Sequence, residues 1–327
     1  MGATHIRALD GIEGVTLAAI SSSNPQKLAG DLSSVGGNLG EAFATLDFSQ
    51  VAKHQRWEEI LADPSIDAVD VCLPTHLHAP ATEAALRAGK HVLVEKPMSL
   101  DFETASRLVI LAKQQGKILM AAQVLRFFPM YRQMADLVRS GSVGRVRAAT
   151  FRRRCAAPPW AVWMQDKAES GGGVFDLLIH DVDMALHLFG MPTAVSATGC
   201  EALESHVDTI DAQLYYDGLD SVTVAGGWHH GAFPFSMEYT IVADGGTIEY
   251  SSSSGLDPQV YRPGQDAETL APAGPVDGYR EEIRYFAECC RTGSEPTYCS
   301  PAESALAVKV TRQMSDARVK KGEICRF

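Results

Sequence analysis

Two hydrophobic periodicities divide the chain. In the first third, short apolar, β-rich runs end in turn residues: Val15 to Ile20 leads into Ser21-Ser22-Ser23-Asn24-Pro25, and Ile66 to Leu73 leads into Pro74-Thr75. Runs without a polar alternation predict parallel strands buried on two faces. Helices are predicted after them, from Pro25 to about Ser34 and from Ala79 to Ala88, where Gly89 caps the end. His91 to Val94, a helix from Asp101 to Gln115 closed by Gly116, and Ile118 to Gln123 continue the series. Strand, helix and strand in this alternation predict a doubly wound parallel sheet.

Beyond about residue 120 the period changes. A helix over Tyr131 to Arg139 ends at Gly141, and Val146 to Arg154 then alternates apolar and polar residues, as a one-sided sheet requires. A further helix is predicted for Val174 to Phe189. Alternating stretches follow at Val207 to Tyr216, Ser221 to Trp228, Ser236 to Ala243 and Thr247 to Tyr250, joined by Asp217-Gly218 and Asp244-Gly245-Gly246. Helices around Tyr279 to Arg291 and Pro301 to Lys320 close the chain. The expectation is an α/β protein of two domains, 1–122 with a parallel sheet and 123–327 with an open antiparallel sheet backed by helices.

Composition narrows the function. Hydrophobic residues make up 46% and charged residues 21% of the 327, which is ordinary globular usage and excludes a disordered or disulfide-stapled chain. A formal net charge of -11 disfavours nucleic acid or an anionic membrane as partner, since the longest basic run is Arg152 to Arg154. The 7 cysteines form an odd set without repeated CxxC spacing, so reduced thiols in the cytoplasm are expected. No apolar window reaches the length of a membrane span, and no export leader is legible.

Three local constellations carry chemistry. The turn Pro74-Thr75-His76-Leu77-His78 follows a parallel strand at its carboxyl end, where such sheets bind ligands. His76 and His78 stand two apart with no cysteine at a usual spacing, so no metal set is assigned. Glu95-Lys96-Pro97 ends the next strand; its lysine suits polarisation of a hydroxyl or carbonyl oxygen, although read alone the pair is better taken as a solvated ion pair. Gly171-Gly172-Gly173 precedes Asp176, His180, Asp181 and Asp183. On a helix, residues 176 and 180 share a face, so the carboxylate is placed to orient and tune the imidazole as a base; a core histidine is the other reading.

Taken in order, Pro74-Thr75-His76-Leu77-His78, Glu95-Lys96-Pro97, Gln123 to Pro129 and Gly171-Gly172-Gly173-Val174-Phe175-Asp176-x-x-x-His180-Asp181-x-Asp183 resemble the Gfo/Idh/MocA family of NAD(P)-dependent sugar and polyol oxidoreductases. The resemblance runs through the whole chain. It implies a Rossmann domain followed by a substrate domain whose sheet joins a homodimer or homotetramer. It also implies hydride transfer between nicotinamide and a sugar, inositol or related polyol, with Lys96, Asp176 and His180 as the catalytic group. The residues expected to hold the cofactor are Gly2, Ser21, Ser22, Pro74, Thr75, His78, Glu95 and Lys96. On the substrate side Arg126, Trp160 and Trp163 join Lys96, Asp176 and His180.

Two departures matter. The fingerprint G-x-G-x-x-G survives only as Met1-Gly2, with Gly2 matching its last glycine, and the first strand is absent; a translation start assigned too far downstream is the expected reason. At the end of the strand Val15 to Ile20, Ser21, Ser22 and Ser23 stand where an acid would bind the ribose 2′-OH, which leans the choice toward NADP over NAD. Two other functions remain open: redox-neutral work with a tightly held cofactor, such as glycoside cleavage or sugar–sugar hydride exchange, and a scaffold or sensor whose nucleotide site has decayed.

Overall fold

The computed structural model describes residues 1–33, 45–159, 161–272 and 274–327. The first body is built of α1 (Gly2–Leu9), β1 (Ala19–Ser21), α2 (Pro25–Leu28), β2 (Ala52–His54), α3 (Trp57–Leu61), β3 (Ala68–Val71), α4 (His78–Arg87), β4 (His91–Glu95), α5 (Phe102–Gln115) and β5 (Leu119–Ala122). Local chemistry sets the ends. Asn24 caps α2 through Gln26 N, Asp101 caps α5 through Thr104 N, and Gly116 ends α5 in the left-handed region at φ 60°. The helix expected to run to Ser34 stops at Leu28, and Ser34 lies outside the described residues.

The parallel strands form two sheets rather than one. β1 pairs with β2, while β3, β4 and β5 pair in that order. In a doubly wound sheet of order 3-2-1-4-5-6, the strand ahead of the first helix joins these two groups. Among the described residues the division falls between β1 and β3. Burial follows from this: Ala68 and Asp70 of β3 are exposed, whereas Val92 to Glu95 of β4 are buried. The two-faced burial expected for Val15 to Ile20 and Ile66 to Leu73 is not found, because β1 and β3 are edges.

Alternation along the central strands sorts side chains to two faces. Val92, Val94, Leu119 and Ala121 pack with Leu86 and Leu108 of α4 and α5. Leu93, Met120 and Ala122 pack on the other face with Ala8 of α1 and with Ile283 and Phe286 of α9 (Gly278–Thr292). The closing helix α9 thus covers the first body although it lies far beyond residue 122.

The second body comprises α6 (Pro129–Ser140), β6 (Val146–Ala156), α7 (Lys167–Ser170), a π-helical turn (Val174–Leu178), α8 (Ile179–Phe189), β7 (Ala194–Ala202), β8 (Val207–Tyr215), β9 (Ser221–His229), β10 (Ser236–Ala243), β11 (Gly246–Ser251), β12 (Gln259–Tyr261) and β13 (Glu268–Thr269), closed by α10 (Pro301–Val319) and β14 (Cys325–Arg326). Nine strands pair in the order β13-β12-β11-β10-β6-β9-β8-β7-β14. All neighbours are antiparallel except β6 and β9, so the sheet is mixed where an antiparallel one was expected. The reason is the long connection through α8, which brings the chain back at β7 in the direction of β6, so that two antiparallel steps, β7 to β8 to β9, lay β9 parallel against β6. Along β8, buried Asp208, Ile210, Ala212 and Leu214 alternate with half-buried or exposed residues, and α8 and α10 cover the buried face.

Candidate active site

The carboxyl ends of the parallel strands place the first group of side chains. Gly2, at the N-terminus of α1, stands beside Cys72 at the end of β3; a Cβ there would meet only the Cys72 Cβ, at 3.5 Å, so the helix end is open at its backbone. Ser21 and Ser22 end β1, and Ser22 Oγ accepts from Asn24 N at 3.2 Å. Thr75 is buried in the short 3-10 turn Thr75–Leu77 after Pro74.

His78 lies inside, its Nδ1 2.8 Å from Pro97 O and its Nε2 2.7 Å from Leu73 O. The ring therefore ties the turn after β3 to the turn after β4, a structural part and not the open contact expected of it. Glu95 also turns inward. Its Oε2 accepts from Lys96 N at 3.0 Å, and its Oε1 lies 3.0 Å from His5 Nε2. Burial opposes its ionisation, but contact with His5 and that residue's charge outweigh burial and hold the carboxyl at about 2.

Lys96 reaches across to the second body. Its Nζ donates to Asp176 O at 2.6 Å and stands 3.3 Å from Asp176 Oδ1, while Trp228 Nε1 donates to Asp176 Oδ2 at 3.1 Å. The carboxylate is thereby held between an ammonium and a buried indole. The expectation that Asp176 orients His180 is not met in this geometry, because residues 174–178 form a π-helical turn. Its i→i+5 bonding widens the turn, so residues four apart no longer stack.

The triple glycine explains how this turn fits. A Cβ on Gly172, at φ +78°, would stand 2.3 Å from Asp208 Oδ2, and one on Gly173 would stand 2.8 Å from Trp228 Cγ. Only a chain without side chains packs that closely against β8 and β9. The Asp208 carboxylate beneath is anchored by Arg318 of α10, 2.5 Å away.

His180 is half-buried, with its Nδ1 buried and free of any hydrogen-bond partner. Burial, the Lys96 charge and the Arg153 charge together push its pKa well below the usual histidine value, so the ring is neutral at neutral pH. The flanking acids of α8 are spent in the interior. Asp181 pairs with Arg153 at 2.9 Å, and Arg153 also donates to Tyr131. Asp183 takes both arms of Arg126 at 2.7 Å. Arg126 is thus placed away from the substrate side where it was expected: its guanidinium is fully buried and bonded also to Tyr298 O and Glu303. The reason is α8, whose Asp183 brings a buried negative charge that a buried cation must match.

Trp163 lies in the short turn Val162–Gln165, with its ring centroid 6.4 Å from that of His76, and His76 Nδ1 is 3.7 Å from Glu169 Oε2. The turn after β3 and the segment before the glycines therefore meet at the rim of the cleft. Trp160 lies outside the described residues. Sequence reasoning missed Trp228 and Arg153, since neither sits near the motif in sequence; the alternation of β9 and β6 marked them only as sheet residues.

Comparison with known proteins agrees with this architecture. Residues 1–123 match the model of an oxidoreductase family with an NAD-binding Rossmann fold, and residues 131–249 match the GFO/IDH/MocA C-terminal domain. The D-xylose 1-dehydrogenase (NADP(+)) 2 of Haloferax volcanii is 30% identical over 246 residues, covering 73% of this chain and 74% of that one. The 1,5-anhydro-D-fructose reductase of Ensifer adhaerens is 40% identical over 128 residues, and the match spans 38% of either chain. Among solved structures, a levoglucosan dehydrogenase in complex with NADH superposes with a TM-score of 0.84 at 20% identity, over 100% of this chain and 96% of that one.

Proposed function

The chain belongs to the Gfo/Idh/MocA oxidoreductase family, and on that footing we propose that it transfers a hydride between a nicotinamide dinucleotide and a carbinol carbon of a sugar, inositol or related polyol. One observation carries the reading: a lysine at the end of β4, held by a carboxylate that a buried indole also clasps, next to a neutral histidine with a free buried nitrogen. The residues fit the dinucleotide at three places. The open end of α1 at Gly2 suits a phosphate, Ser21 and Ser22 suit a ribose, and the turns at Pro74-Thr75 and Lys96 suit the nicotinamide end. When bound, the nicotinamide supplies the hydride acceptor or donor.

The protein's part is electrostatic and protonic. His180 takes the proton of the substrate hydroxyl, and its depressed pKa keeps it ready to accept at neutral pH. Lys96 stabilises the oxygen on which charge develops, and Asp176 fixes the ammonium in place. Trp163 and His76 line the rim that the substrate passes. Serines in place of an acid at the ribose leave room for a 2′-phosphate, which supports NADP as the better cofactor. A homodimer or homotetramer joined through the nine-stranded sheet is the assembly that membership of the family suggests.

A spectrophotometric screen of sugars and polyols against NADP and NAD tests the reading. Lys96→Ala and His180→Ala are each expected to lower the single-turnover rate by a factor on the order of 100, the scale of losing one stabilising group, with cofactor affinity retained in His180→Ala. Near-normal hydride transfer in either folded variant would remove that residue from the mechanism. Ser22→Asp is expected to shift kcat/KM toward NAD; a parent protein strongly selective for NAD would overturn the cofactor assignment.

A further inference from the structure

One buried histidine gathers groups that no step of this reaction uses. His5, on α1, is 1% exposed, and its Nδ1 lies 2.8 Å from Asp70 Oδ2. The same nitrogen is 3.6 Å from Cys72 Sγ, and that sulfur is 3.5 Å from Asp70 Oδ1. On the far side of the ring, Nε2 makes a close ion pair with Glu95 Oε1 at 3.0 Å. A nitrogen, a sulfur and a carboxylate converge, while a second carboxylate backs the ring.

We propose that His5 Nδ1, Cys72 Sγ and the Asp70 carboxylate bind a divalent transition-metal ion of the zinc type, with Glu95 setting the imidazole from behind. One donor atom from each of the three residues lies within 4.8 Å of the other two, a span that a tetrahedral ion can bridge. With bonds of about 2.0 Å to nitrogen and oxygen and about 2.3 Å to sulfur, ligands at tetrahedral angles stand about 3.5 Å apart for each sulfur edge and about 3.3 Å apart for the nitrogen–oxygen edge. Nitrogen and sulfur stand 3.6 Å apart; Asp70 Oδ1 is 3.5 Å from the sulfur and Asp70 Oδ2 is 2.8 Å from the nitrogen, so the carboxylate has to turn to present one oxygen to the ion. Asp70 is free to swing, being 32% exposed, and its exposed flank admits the ion and a water as fourth ligand. Thiolate with imidazole selects zinc-like ions over magnesium or calcium, and a carboxylate on the second imidazole nitrogen is the usual support of such a ligand.

From α9, the Tyr279 ring also faces His5, with ring centroids 6.2 Å apart. A divalent ion binds the imidazole and the thiol in their deprotonated forms, so uptake exchanges protons for the charge of the metal.

The test is independent of the dehydrogenase reading. Untagged full-length protein, freed of metal by chelator and dialysis, is titrated with cobalt(II) and then zinc. Expected are one equivalent bound, a thiolate-to-cobalt charge-transfer band, its loss on adding one equivalent of zinc, and release of protons. Cys72→Ser is expected to abolish the band. Asp70→Asn, on the exposed flank, is expected to keep the fold by circular dichroism and to bind about tenfold or more weakly, and Glu95→Gln about 10- to 100-fold more weakly. Absence of the band at one equivalent in the folded protein overturns the proposal, as does affinity unchanged in Cys72→Ser.

Discussion

Replacing Arg126 with methionine separates a structural role from a substrate role. The guanidinium and its partner Asp183 are 0% and 1% exposed, and the pair is joined by two hydrogen bonds of 2.7 Å. Methionine fills the volume but leaves the Asp183 carboxylate uncompensated in the interior, which costs about 3–5 kcal/mol for a buried pair broken on one side. At about 2–4 °C per kcal/mol for a body of this size, melting is expected to fall by roughly 6–20 °C. The Tyr298 carbonyl loses a donor as well, adding about 1 kcal/mol, whereas Glu303 is 43% exposed and turns to water at little cost.

Asp183→Leu in the same chain removes the stranded charge, so the double variant is expected to regain most of the loss, since an apolar pair of similar volume is neutral or better. Thermal and urea melts of the parent, both single variants and the double variant close the cycle. Folded Arg126→Met is expected to keep its KM for sugar within a few-fold of the parent. A variant that melts like the parent and loses substrate affinity instead would place Arg126 at the substrate and refute the argument.

Three further outcomes follow from the same geometry. Because burial, Lys96 and Arg153 depress the His180 pKa, the acid limb of kcat/KM is expected below about pH 6.5, with activity lost only as pH falls through the folded value; a limb at or above that pH would refute the assignment. Trp228→Phe removes a hydrogen bond to a carboxylate, worth about 1.5–3 kcal/mol, so kcat is expected to drop by about 10- to 100-fold with cofactor affinity unchanged; an unaltered kcat would show the Asp176 contact to be idle. Glu282, buried with both carboxyl oxygens unpartnered, has its pKa raised by burial, so its proton-linked stability is present at low pH and lost as pH rises through the folded value. Glu282→Met is expected to stabilise the protein at neutral pH by about 1–3 kcal/mol and to flatten the pH dependence of melting, and equal melting at neutral pH would count against it.

Much of the site was legible because its signals are local. Lys96 ends a strand whose apolar run is continuous, and Asp176 and His180 follow a glycine run that marks a close approach of backbones. The parallel order of the first body was legible for the same reason, as each strand and its turn lie within a few residues. Two features were not. The π-helical turn after Gly173 carries no pattern of its own, since its residues are as apolar as those of an α-helix, and it redirected Asp176 from His180 to Lys96 and Trp228. The pairing of β6 with β9 depends on where a long connection returns.

The chain's own pattern determined which segments are strands and helices, which face of each is apolar, and which residues have chemistry to offer. It did so because burial of apolar surface and the turn preferences of glycine, proline and asparagine act over a few residues. Tertiary structure decided the partners. Arg126 has its charge answered by Asp183, 57 residues on, and His5 meets Asp70 and Glu95 from separate elements. A buried charge takes whichever opposite charge the packed backbone brings within reach, and that distance is set by the fold and not by position in the chain.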